Sequence, residues 1–124
     1  MVLLLNQGLR PDEAAAVWIP HPSLGRVSAV VAPPITDETS YAVVLHEMGH
    51  HLSALGNVRN VSAVPTPVPG CHPRERHRWA ALKLVEEDAA WEWAQHYALV
   101  WTVAMEQTRI LCYGTYEEGR RRTR

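Results

Sequence analysis

The residues best suited to chemistry are His46-Glu47-Met48-Gly49-His50. On a helix, residues four apart share a face, so His46 and His50 can offer imidazole nitrogens to one ion. Glu47 is then placed to take a proton from a water that the ion holds, the arrangement of a His-Glu-x-x-His hydrolytic centre. The competing reading is a helix with two unrelated histidines and an exposed glutamate. Context favours the first reading: the pentapeptide follows Val43-Val44-Leu45, precedes His51-Leu52 and comes after a strand-like run.

A hydrolytic zinc centre takes three protein ligands and leaves one position open. The extended pattern with Gly three and His six residues after the second histidine is excluded, because Ser53 and Gly56 stand there. A carboxylate from a later helix is the other route. Glu86, Glu87 and Asp88 lie among Trp, Ala and Val, and a buried carboxylate is costly unless it is paired or bound to metal. The three span about 200 degrees of helix, so at least one is expected to face solvent and at least one to turn inward. The residues alone leave open which is the ligand. His51 points about 100 degrees away from His50 and is expected to support the site or sit at the surface rather than bind metal. His21, between Pro20 and Pro22, reads as a loop residue. Cys71 and Cys112 lack C-x-x-C spacing and read as lone thiols, not a disulfide framework.

Several elements must position these groups. Pro11 to Val17 reads as a short helix, with Pro at its first position and acids in its first turn. Pro20-His21-Pro22 is expected to stop regular structure. Arg26 to Ala32 reads as a strand, with Pro33-Pro34 suggesting a sheet edge able to pair with an extended peptide. The motif helix is predicted from about Thr39 to Leu55, capped from within Thr36 to Ser40 and ended by Gly56. Asn57 to Gly70 is a proline-punctuated loop, either a border of the substrate cleft or a plain connector. Arg74 to Val100 reads as a long helix with two stripes. One is Trp79, Leu82, Glu86, Ala90, Trp93 and Tyr97; its neighbour is Ala80, Leu84, Glu87, Trp91, Ala94 and Ala98. Thr102 is set to cap a last helix to about Cys112, with 114–124 as a flexible basic tail.

Val44-Leu45-His46-Glu47-Met48-Gly49-His50, followed by Glu87-Asp88-Ala89-Ala90-Trp91-Glu92-Trp93-Ala94, resembles the ImmA/IrrE-like metallopeptidases, including small phage and prophage members. Those carry His-Glu-x-Gly-His and then Glu-x-x-Ala-x-x-(aromatic)-Ala. The resemblance covers roughly residues 26–98. It implies a gluzincin-like minimal fold, Zn2+ as cofactor and Glu87 as the third ligand beside His46 and His50, with Glu86 the runner-up. Two departures stand out. The position four after the ligand glutamate, often Asn in the family, is Trp91, and the interval between the motifs is longer.

At 124 residues, 47% hydrophobic and 20% charged, the chain reads as one globular domain, 1–124. The expected class is α+β, mainly helical, a minimal zincin-like fold with a small sheet near the N-terminal half. A formal net charge of -1 argues against a nucleic-acid or membrane-surface partner, and the Arg120 to Arg124 run reads as a solvated end. Residues 1–5 are too short an apolar run for a signal peptide, and no stretch reaches membrane-span length, so the expected location is cytoplasmic. The expected activity is zinc-dependent hydrolysis of peptide bonds in a narrow peptide or protein substrate. Glu47 is the catalytic base, and Tyr97, His72, His77 and His96 are candidates to steady the oxyanion. The alternative is a zinc-binding scaffold or regulator without turnover, which would have no need of Glu47.

Overall fold

The computed structural model describes residues 2–6, 13–53 and 68–122, with residues 115–122 described by backbone alone. Among these are three strands, β1 (Val2–Asn6), β2 (Ala15–His21) and β3 (Gly25–Ala32). Three helices follow, α1 (Glu38–Leu52), α2 (Pro73–Tyr97) and α3 (Val103–Arg122). The class is α+β, with the small sheet in the N-terminal half. No described helix is long and apolar enough to cross a membrane.

The strand order is β1-β3-β2, with β1 parallel and β2 antiparallel to β3. This corrects two expectations. Residues 15–17 are strand, not helix: Ala15, Ala16 and Val17 pair with Val31, Val30 and Ala29. A seven-residue helix gains few hydrogen bonds for its nucleation cost, whereas a strand beside β3 satisfies its ladder at once. Pro11 and Asp12, the start expected for that helix, lie outside the described residues. The second correction concerns β3, which is central rather than an edge, so it has no free side for an extended peptide. Pro33-Pro34 lie beyond its last paired residue and cost the ladder nothing. Pro20, expected to interrupt regular structure, is carried within β2, an edge strand, where a missing donor is tolerated. His21 ends β2 and closes the hairpin, its Nδ1 accepting from the Ser23 and Leu24 backbone N–H groups at 3.2 Å each.

The helix α1 lies between two cores. On one side Val44 packs with Val30 and Ala32 of the sheet. On the other, Ala42 and Leu45 pack with Trp91 and Ala94 of α2 and Met105 of α3. Asp37 caps its start, accepting from the Ser40 N–H at 2.8 Å, while the Ser40 hydroxyl accepts from the Asp37 N–H at 3.1 Å. Ser53 stands at the other end, so the helix stops short of Leu55; Gly56 and most of the proline-punctuated loop lie outside the described residues.

The long helix buries Ala80, Leu84, Glu87, Trp91 and Ala94, the stripe read from its spacing. Thr102 caps α3, its hydroxyl accepting from the Met105 N–H at 3.2 Å. The last helix does not end at Cys112. It runs through Gly114 and Gly119 to Arg122, so most of the expected basic tail has helical backbone. A glycine lowers helix preference by only about 1 kcal/mol and does not by itself stop a helix already under way.

Candidate metal centre

The motif lies in the last two turns of α1, on the flank turned toward α2. Its approach to α2 depends on Gly49. A Cβ there would lie 2.9 Å from Ala90 Cα and closer still to the Ala90 carbonyl oxygen, so the two backbones are in contact at this point. That contact brings Glu87, one turn before Ala90 and Trp91, opposite the histidines.

His46 Nε2 lies 2.6 Å from Glu87 Oε2, and His50 Nε2 lies 3.0 Å from Glu87 Oε1. One carboxylate therefore meets both imidazoles, an oxygen to each. His46 Nδ1, on the other side of the ring, lies 3.2 Å from Glu47 Oε1. His46 and Glu87 are buried, at 6% and 3% exposure, while Glu47 and His50 are partly open. Burial alone lowers the pKa of His46, but hydrogen bonds to Glu47 and Glu87 and their negative charges outweigh it and raise the value to about 9. Burial raises Glu87, yet the bonds from His46 and His50 and their charges bring it down to about 2. His46 and Glu87 thus favour each other's charged form.

His46, Glu47 and His50 each offer a ligand atom within 4.8 Å of the others, a grouping that could hold a metal ion. The donors are nitrogen and oxygen, the set that suits borderline divalent ions. The burial of His46 and Glu87 also fits such an ion, since a buried carboxylate is costly unless it is paired or bound to metal.

The other acids separate cleanly. Asp88 faces solvent. Glu86 is buried but touches neither histidine: one oxygen pairs with Lys83 Nζ at 3.1 Å, and the other has no hydrogen-bond partner among the described residues.

His51 departs from the sequence reading where that placed it at the surface. It is 5% exposed, and its Nε2 donates to the Ala29 carbonyl of β3 at 2.9 Å. Its ring meets Trp18 of β2 edge-on at 5.1 Å. Burial, ahead of other influences, lowers its pKa. Only its pairing with a strand reveals this role, and no local signal carries that.

The Trp91 indole stacks on the His46 ring at 4.1 Å between centroids and 13° between planes. The periodicity of α2 gives its inward direction but not this contact. Cys112 is half-buried on α3, and burial pushes its thiol pKa up, helped by the charges of Glu87 and Glu47.

None of the oxyanion candidates hydrogen-bonds to the site among the described residues. His72 accepts from the Arg74 N–H at 3.0 Å and caps α2. His77 Nδ1 is buried without a partner among the described residues. His96 and Tyr97 line an open cleft of about 650 Å3 together with Ser53, Asp88, Glu92 and Trp93. His46, Glu47, His50 and Glu87 are not among its lining residues.

Compared with protein-family models, curated proteins and solved structures, the chain returns no match.

Proposed function

We propose that this chain is a zinc-dependent metallopeptidase with a zincin-like fold, in which His46, His50 and Glu87 hold the metal and Glu47 is the catalytic base. The single observation that carries the reading is the convergence of both Nε2 atoms on the two oxygens of one buried carboxylate. Glu47 belongs to the same close group, but it reaches His46 through Nδ1, the nitrogen turned away from Glu87. We therefore assign Glu87 to the metal and leave Glu47 for proton transfer. The resemblance to ImmA/IrrE-like metallopeptidases points the same way.

When bound, zinc lowers the pKa of a water and polarises a carbonyl oxygen. The chain supplies the rest. His46 and Glu87 are held away from bulk water, which strengthens every charge interaction between them. Glu47 is partly open and is the carboxylate positioned to accept a proton and pass it to the leaving amine. The substrate is a peptide or protein of narrow range, processed without a membrane or nucleic-acid partner.

A second reading, a zinc-binding scaffold without turnover, draws on the 3.2 Å contact by which Glu47 steadies His46. The two readings diverge in Glu47→Gln. For the peptidase, elemental analysis gives about one zinc per chain in wild type and in Glu47→Gln, little in His46→Ala, and peptide-library cleavage in wild type only. Zinc without cleavage of any peptide or protein substrate would favour the scaffold. Wild type without metal in the presence of added zinc would end both readings.

A further inference from the structure

We infer that Trp91 is the positioning residue of this centre: its indole face fixes the plane of the His46 ring and thereby the direction in which Nε2 is presented. The inference rests on the proposed metal site, but on a contact that the ligand assignment does not use.

His46 is gripped from two directions by one turn of α2. Glu87 meets the edge of the ring at Nε2, and Trp91, four residues on and so on the same helix face, lies flat against the ring. The edge contacts alone leave the plane poorly defined, because Glu47 and Glu87 are side chains with several rotatable bonds and can follow a rocking ring. The indole cannot follow. It is 2% exposed and packed among Ala42, Leu45, Ala94 and Met105, and Trp101 stands edge-on to it at 6.5 Å. Its Nε1 has no hydrogen-bond partner among the described residues, so packing rather than a polar bond fixes it. A hydrogen-bonding residue would hold a ligating histidine through its second nitrogen; at His46 that nitrogen is already taken by Glu47, and the remaining handle is the ring face.

The test uses cobalt(II) as the probe on the full chain, with wild type, Trp91→Phe and Trp91→Leu. Chelator competition gives the affinity, and the visible absorption of bound cobalt reports ligand geometry. Phe keeps an aromatic face and Leu keeps only apolar bulk. The expected result is a spectrum and affinity close to wild type for Phe, and for Leu a shifted spectrum with affinity lower by about tenfold or more. Equal affinity and an unchanged spectrum in a folded Trp91→Leu would overturn the inference while leaving the metal site intact. Wild type that binds no cobalt would remove the metal reading and this inference with it. A check that needs no variant is the NMR shift of the carbon-bound protons of the His46 ring. Stacking predicts a marked upfield displacement by the indole, and ordinary imidazole shifts would overturn the inference even if Trp91→Leu fails to fold.

Discussion

Adjacent histidines at the end of α1 have unlike partners. His50 reaches the Glu87 carboxylate on α2, and His51 reaches the Ala29 carbonyl on β3. His51→Ala removes that bond and opens a cavity against Trp18. It is expected to lower stability by roughly 2–4 kcal/mol in urea unfolding while leaving zinc content unchanged. Loss of zinc at full stability would instead make His51 a ligand. Two neighbouring acids are discriminated in the same way. Glu86 pairs with Lys83 and Glu87 with both histidines. Elemental analysis should find zinc retained in Glu86→Gln and depleted in Glu87→Gln, and the reverse pattern would transfer the assignment to Glu86. The motif histidines and Glu47 are legible from spacing alone, because the helix period puts them together. The choice among Glu86, Glu87 and Asp88 is not, since it turns on which face of α2 meets α1.

The joint between α1 and α2 sets that face, and Gly49 is its closest point. Alanine at an exposed helical glycine usually stabilises, by up to about 1 kcal/mol. Here the added methyl would press on the Ala90 backbone, which cannot rotate aside as a side chain would. Gly49→Ala is therefore expected to destabilise by roughly 1–3 kcal/mol and to weaken zinc binding by moving Glu87 off the histidines. A thermal midpoint at or above wild type with undiminished zinc affinity would show that the joint yields. At this scale α1 and α2 are legible from composition and from the caps at their starts, whereas the end of α1 at Ser53 and the run of α3 past Cys112 are not. Nor is the strand at 15–21, because Ala-rich residues behind Pro and two acids imitate a helix start, and only pairing with β3 decides otherwise.

Across the molecule, α1 is the element that both cores share, touching the sheet through Val44 and the other helices through Ala42 and Leu45. Neither core can come apart without exposing part of this helix. Unfolding followed by far-ultraviolet circular dichroism and by tryptophan fluorescence should give coincident curves. Two separated transitions would mean that the sheet and the helical layer are independent. Zinc at a hundredfold excess over its Kd should add about 2.7 kcal/mol and raise Tm on the order of 10 °C, an effect that a chelator reverses. The α+β class with a small N-terminal sheet follows from the order of strand-like and helix-like segments. The central place of β3 does not, because its edge prolines and apolar run suit an edge and a centre alike.

That shared position also limits how this chain can drift over generations. Of the fifteen residues of α1, Glu38 alone is exposed, the rest being buried or partly buried. The longer α2 offers Arg74, Arg78, Glu92 and Gln95 to solvent. Saturation mutagenesis should therefore find an almost unbroken intolerant block over 39–52, extending well past the metal-binding signature. Sequences descended from a common ancestor with this chain would keep a fingerprint longer than the five residues that do the chemistry.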